Sequence, residues 1–561
     1  MPKNKGFTVQ CYLADTQVYG WVMVQEKSCD VLIIGGGLAG IQAALQASRM
    51  NANVIITSER RVGKSGNSVI AQGGYSAPFG HADPRDNPEV FYEDIVKSGE
   101  YLNDKDLANI LAKDSCRGVD ELRRAGVTFE MYGKKYAQKQ YPGHSYPRNC
   151  CISKEGGINI TLPLLDQLKR GRVNVLNHFH ALRLFVVDHQ CQGGLFISTT
   201  SGEMIVIGSK ATILATGGGG SIFERSTNVK GSTGDGFALA LEAGMALRDM
   251  EFIQFYPTIM MSPVDNLLID FSPFGGDITL LNRKGEPFLE KHCPKAPESC
   301  TRDVKSQAIF REIMENRDVQ GGVMLDISNL HPRELIENVP SFVRVFKVRN
   351  LDPFKETLIV APAAHFFMGG VQIDEHCNTS MEGLFACGEV TGGIHGANRL
   401  ADSALTECQV FGRIAGEETA KYSLTRTFGK CLSPIEAILA EQAKDSLVAV
   451  SPSKIMAAIK GIMWRHVGIV RDGKGLEKGI QELEKLRNEF GQRKEVSDRQ
   501  DIYQVSKARN ALTTALAVAK AALARRESRG SHYRKDFPTQ DDRYLRPIGV
   551  EMDNCGNLSA F

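Results

Sequence analysis

The sequence predicts an α/β chain built on a parallel sheet, with an unlike segment inserted in its middle and helices at its end. Three observations predict it. Val31-Leu32-Ile33-Ile34 is a short apolar run that ends in Gly35-Gly36-Gly37-Leu38-Ala39-Gly40. Residues 251–351 have a different texture, with prolines and mixed charges but no glycine fingerprint, before glycine-rich backbone returns at Met368-Gly369-Gly370-Val371. From about Ile435 the character becomes helical.

The run 31–34 suits a buried parallel strand. The glycine turn leads into a helical stretch from Ile41 to about Met50, and a second apolar run, Asn53 to Thr57, follows. Strand, glycine turn, helix and strand in this order make the first βαβ unit of a Rossmann-like dinucleotide fold. Gly35 permits the tight turn, Gly37 lets a pyrophosphate approach the backbone, and Gly40 lets helix and strand pack closely. Leu38 and Ala39 open the helix, whose N-terminus offers free N–H groups and a positive dipole to phosphates. Glu59 stands just past the second strand, where an acidic residue binds ribose.

Further on, Lys210 to Gly218 is another apolar strand running into small residues, Ala215, Thr216 and Gly217 among them, that let backbone approach a flat ligand. Thr233-Gly234-Asp235-Gly236 leads into a helix from Phe237 to Ala243. Leu476, Ile480, Leu483, Leu486 and Phe490 mark one face of an amphipathic helix, and Ala511 to Arg526 is an alanine-rich one. These stripes read as bundle core.

With 561 residues the chain has the length for two or three domains. A net charge of +2 from scattered basic residues gives no nucleic-acid or anionic-membrane signature. No stretch approaches ~18 uncharged apolar residues, so no membrane span is expected. Residues 1–28 lack the apolar core of a signal peptide. The 13 cysteines are dispersed, without CxxC or a ferredoxin-like run, so no iron–sulfur pattern is present and a reducing cytosol is expected. The expected location is cytoplasmic, with any membrane association made through a partner subunit.

Several separated motifs, in order, resemble the flavoprotein family of fumarate reductase, succinate dehydrogenase and L-aspartate oxidase. They include the fingerprint at 35–40, Ala71-Gln72-Gly73-Gly74, Ala215-Thr216-Gly217-Gly218, Glu251-Phe252-Ile253-Gln254-Phe255 and Arg302-Asp303-Val304. His365-Phe366-Phe367-Met368-Gly369-Gly370, Phe385-Ala386-Cys387-Gly388-Glu389, His395-Gly396-Ala397-Asn398-Arg399-Leu400 and Arg526-Glu527-Ser528-Arg529-Gly530 complete the series. The resemblance implies a Rossmann-like FAD-binding domain with an inserted α+β capping domain and a C-terminal helical domain. On this chain the expected parts are an N-terminal extension, 1–28, and an FAD-binding domain in two pieces, 29–250 and 352–425. A cap spans 251–351, a helical domain 426–545 and a tail 546–561.

Carried over by position, the resemblance implies that Glu389 binds the ribityl chain and that Ser403 and Leu405 line the pyrimidine edge of the flavin. Ser68, Ala215, Thr216, Gly217 and Asp235 are implied as further FAD contacts, and Gln72, Gly73 and Gly74 as the stretch facing the ring. Arg302 matches the active-site arginine that moves the proton next to a carboxylate, while His365 and Arg399 match residues that hold that carboxylate. A planar guanidinium suits the task because its fork grips a carboxylate bidentately.

Two departures bear on the chemistry. Asn67 stands where the family's covalent members place the histidine that links FAD, so noncovalent FAD is expected, and with it the reducing direction or the oxidase branch. The family's QFHPT reads Gln254-Phe255-Tyr256-Pro257-Thr258, which loses a histidine that grips the second carboxylate. Nearby, Asp270, Phe271 and Phe274 replace the family's Thr, Glu and Arg. Tyr256 and Asp270 are therefore the expected substrate contacts on the far side, and a carboxylate with a less charged tail competes with fumarate. The expected activity is hydride transfer between flavin N5 and a small mono- or dicarboxylate, with electrons from a separate iron–sulfur subunit or a soluble reductant. The alternatives are L-aspartate oxidase and a noncatalytic electron-transfer subunit.

Overall fold

In the computed structural model, which describes residues 6–11, 20–72, 74–152, 156–268, 274, 277–293, 301–428, 450–490 and 499–561, the apolar run at 31–34 is the inner end of a longer strand, Gly20–Ile34. Gln25, Glu26, Lys27 and Ser28 hide the outer part from a hydrophobicity reading, because they sit at exposed or half-exposed positions. Backbone pairing holds them instead, with Ile205 opposite Gln25 and Val206 opposite Glu26. The strand thus runs through the boundary drawn at residue 28, and Gly6–Cys11 pairs antiparallel with its start.

The main sheet has eight strands. Gly20–Ile34 and Met204–Leu214 are parallel neighbours, and Val54–Ser58 and Val173–Asn177 extend the sheet in parallel on one side. Leu384–Ala386 joins Met204–Leu214 in parallel, and Phe179–Val187 with Gln190–Ser198 forms the antiparallel edge. Val31, Leu32, Ile33, Val54, Ile56 and Ile213 are fully buried, each such side chain contributing about 2 kcal/mol. The helix Leu38–Arg49 packs on this sheet, as the βαβ pattern requires. At the carboxyl edge, Gly35 N–H donates to Thr57 O at 2.9 Å, Ala215 N–H to Ile34 O at 2.8 Å and Cys387 N–H to Leu214 O at 3.0 Å. Three strand ends and their glycine turns therefore meet at the crevice where open α/β sheets bind ligands.

A second, five-stranded sheet runs Leu267–Leu268, Ile253–Ser262, Ile359–Phe367, Val323–Asp326, Thr279–Leu281, all antiparallel. It has its own core around Met260, Phe288, Phe342 and Val360. Ile359–Phe367 follows residue 351, so this sheet takes chain from both sides of that boundary. Its pairing with Ile253–Ser262 shifts register between Tyr256 and Ile259, where Pro257 removes a backbone donor.

Behind the two sheets, Pro452–His466, Gly473–Phe490 and Arg499–Ala524 pack as helices. Leu476, Ile480, Leu483 and Phe490 are buried as the periodicity predicts, with Leu486 half-buried beside them. Residues 429–449, where the helical reading began, lie outside the described residues. Among the described residues no helix is long and apolar enough to cross a membrane.

Candidate active site

Gly35 has a left-handed φ of 127°, and a Cβ there would meet Ala215 O at 2.0 Å. Only glycine fits where the strand Gly20–Ile34 turns against the end of Met204–Leu214. A Cβ on Gly40 would meet Gly35 O at 2.0 Å, so Gly40 does not line the cleft but lets the helix close on the turn. Ser68 Oγ accepts from Leu38 N–H at 3.2 Å, which satisfies one free amide at the helix start. Gly35, Gly37, Leu38, Ala39, Glu59, Ser68, Ala215, Thr216, Gly217, Asp235 and Glu389 all line one cleft along the carboxyl edge. The Thr216 hydroxyl is buried there with no protein partner. A glycine-walled cleft with an orphaned hydroxyl and an acidic group at its far end fits a dinucleotide.

The acidic end carries a partner that the glycine motifs do not reveal. Lys507, on the helix Arg499–Ala524, donates to Glu59 at 3.0 Å, Asp235 at 2.5 Å and Gly231 O at 2.6 Å. Tyr503 Oη donates to Glu59 at 2.6 Å, and Asn510 Nδ2 to Asp235 at 2.9 Å. Burial opposes the Glu59 charge, but Lys507, His180 and Tyr503 outweigh it and hold the carboxylate well below its usual range. Burial likewise opposes the Lys507 ammonium, and Asp235 and Glu59 raise it above its usual value. Glu59, His180 and Asp235 converge as metal ligands would, but the Lys507 ammonium stands between the two carboxylates. A visible signal existed. Tyr503, Lys507, Asn510 and Thr514 recur at intervals of four, three and four along an otherwise alanine-rich helix.

A second cavity, about 560 Å³, shares Asn67, Ser68, Val229, Lys230, Glu389 and Cys408 with the cleft and so continues it. Gln72, Gly74, Arg399 and Leu405 line it, and so do Arg302 and, from the second sheet, Tyr256 and His365. Ser403 lies behind the wall, its hydroxyl donating to Leu400 O at 2.7 Å. Gly73, Asp270 and Phe271 lie outside the described residues. Phe274 packs in the cap core and does not line the cavity.

Tyr256 and His365 sit on adjacent strands, ring centroids 5.3 Å apart, and the Arg302 guanidinium lies 4.9 Å from the Tyr256 ring centroid. Arg302 begins the helix Arg302–Met314. The Arg399 guanidinium stands 4.6 Å from the Phe366 ring centroid and donates to Gln254 Oε1 at 2.9 Å, leaving Nε buried without a protein partner. Burial, then Arg302, pushes Arg399 down to about 10. Burial, then Arg399 and Arg302, holds His365 well below its usual range, so the ring is neutral. Its Nδ1 meets Thr227 Oγ1 at 2.8 Å, and Asn228 Nδ2 donates to His365 O at 2.8 Å. Neither Thr227 nor Asn228 stands in a motif that the sequence singles out. Glu389 accepts from Phe367 N–H at 3.2 Å and bonds Asn67, while burial pushes its carboxyl up to about 7. Asn67 Oδ1 also accepts from Val229 N–H at 3.0 Å.

A glycine-walled cleft continuous with an arginine-lined pocket fits an FAD-dependent oxidoreductase. Residues 30–405 match the FAD binding domain and residues 456–552 the fumarate reductase flavoprotein C-terminal model. The chain is 37% identical to an uncharacterized FAD-dependent oxidoreductase of Methanocaldococcus jannaschii, over 93% of this chain and 96% of that one. It is 36% identical to a CoM/CoB fumarate reductase polypeptide of Methanothermobacter marburgensis, over 93% and 96%. A FrdA mutant of E. coli quinol fumarate reductase superposes with a TM-score of 0.89 at 27% identity, over 96% of both chains. The chain belongs to the fumarate reductase/succinate dehydrogenase flavoprotein family, and its cofactor is FAD.

Proposed function

We propose that the chain holds FAD noncovalently and adds hydrogen across the C=C bond of a small unsaturated carboxylic acid, in the manner of a fumarate reductase. The observation that carries this reading is the convergence of Arg302, Arg399 and neutral His365 on a cavity continuous with the cofactor cleft. The cleft-lining glycines with Ser68, Thr216, Glu59, Asp235 and Glu389 would hold FAD, and Gln72 and Leu405 would border its ring. When bound and reduced, FAD supplies a hydride for such a reaction.

The chain's own groups do the rest. Arg399 grips the substrate carboxylate with its fork. In the tautomer where Thr227 donates to Nδ1 of His365, the ring proton sits on Nε2 and can donate to the same carboxylate. These contacts hold the alkene in place and offset charge that develops on the acid during hydride arrival. Arg302 delivers a proton to the carbon next to the carboxylate as the hydride reaches the other alkene carbon, so C=C becomes CH–CH. A guanidinium gives up a proton reluctantly. Burial, and then the neighbouring Arg302, lowers Arg399 to about 10, which supports two guanidiniums crowding one pocket.

Asn67 supports noncovalent FAD and, with it, the reducing direction, because an amide cannot form the flavin linkage of the covalent family members. Electrons are proposed to come from a separate iron–sulfur subunit, since this chain's dispersed cysteines form no cluster pattern. The test is anaerobic oxidation of reduced viologen by the FAD-loaded protein with unsaturated mono- and dicarboxylates. Wild type is expected to turn over, and Arg302→Ala to lose at least about a hundredfold in kcat while retaining FAD. Unchanged turnover in Arg302→Ala would overturn the assignment, and peroxide formed from aspartate without a partner would favour an oxidase.

A further inference from the structure

Arg302 and Arg399 make part of the cavity cationic, and among the described residues the cap gives it an apolar wall. Five apolar side chains from the cap, Ile259, Leu267, Leu268, Val339 and Phe342, line the same cavity as Arg302 and Arg399. Polar neighbours on that wall, Asn338 and Ser341 among them, are uncharged. The position that the family pattern gives to an arginine is Phe274, which packs into the cap core. Tyr256 replaces the histidine of that pattern and turns its ring against His365 and Arg302. Among the described residues, Lys230 is the remaining cation on the cavity lining, and it lies exposed where cavity and cleft join.

We infer that the substrate is an unsaturated monocarboxylate with an apolar β-substituent, a 2-enoate rather than a dicarboxylate. The inference rests on the proposed reductase reading and names the substrate class for the same pocket. A second carboxylate set against Leu268 and Phe342 would have, among the described residues, exposed Lys230 at the junction with the cleft as the remaining cation, and burial penalises it there. An alkyl or phenyl tail there gains the apolar contact that a fumarate carboxylate forfeits.

The overall reaction is a 2-enoate plus two electrons and two protons giving the saturated acid, with reduced viologen as electron source and solvent as proton source. The experiment compares crotonate, trans-2-hexenoate and cinnamate with fumarate in the anaerobic viologen assay of the FAD-loaded protein. Binding is read separately, by titrating the oxidised protein with each acid and following the flavin absorbance. At least one apolar-tailed acid is expected to exceed fumarate by tenfold or more in kcat/KM and to bind correspondingly tighter, since each methylene in an apolar pocket discriminates by about tenfold or more. Leu268→Arg is expected to shift the preference toward fumarate by at least tenfold. Leu268→Ala, a milder change, is expected to raise KM for hexenoate relative to that for fumarate. Fumarate equal to or better than the enoates would overturn the substrate class while leaving the reductase reading standing. No acid that either turns over or perturbs the flavin spectrum would overturn both.

Discussion

At Glu389 the fold raises a carboxyl group's pKa to about 7, in contact with Asn67 and the Phe367 amide. Burial is the cause, and it makes the residue a pH-dependent element of stability. A carboxyl whose folded pKa of about 7 exceeds its ordinary 4.5 binds protons more tightly when folded. Its contribution is full below about 4.5 and falls as pH rises through about 7. Without FAD, wild type should lose roughly 2–3 kcal/mol relative to Glu389→Gln between pH 5 and pH 8. Denaturant titrations at the two pH values check this, and a pH-independent difference would contradict it. Glu389, Arg302, His365 and Arg399 were legible in the sequence because each stands inside an ordered motif. Tyr256 was legible as a departure from one. Thr227 and Asn228 were not, because their roles come from a strand that pairs only after folding and carries His365 to them.

The helix Arg499–Ala524 shows the same limit at the next scale. Its alanine face reads correctly as core, yet its polar stripe reaches Glu59, 448 residues earlier in the chain. Local pattern can announce such a stripe but not its target. Removing the ammonium should leave Glu59 and Asp235 facing each other half-buried, which costs about 3 kcal/mol when a buried pair is broken. Lys507→Ala is therefore expected to lower the melting temperature and weaken FAD binding at least tenfold, read by flavin retained on gel filtration. Full retention at an unchanged melting temperature would remove this helix from the cofactor site. The strand Gly20–Ile34 shows a different limit, since its polar stretch at 25–28 is held by backbone hydrogen bonds, which no hydrophobicity pattern reports.

Over the whole molecule, the parallel sheet, the cap sheet and the rear helices contribute to one continuous space. The sheet sets the cofactor cleft at its carboxyl edge, the cap brings Tyr256, Arg302 and His365 over it, and the rear helix neutralises its acidic end. The division into a glycine-marked fold, an insert and a helical region was readable from texture. The cap's use of Ile359–Phe367 was not, since a strand past the insert looks no different from one within it. This space is proposed to bring a hydride source and an acid-gripping pocket together. The decisive experiment is to reduce the FAD-loaded protein anaerobically, remove excess reductant, add one unsaturated acid and follow the flavin absorbance. The oxidised flavin spectrum is expected to recover, with stoichiometric formation of the saturated acid. Flavin that stays reduced with every acid in the panel would contradict the proposal.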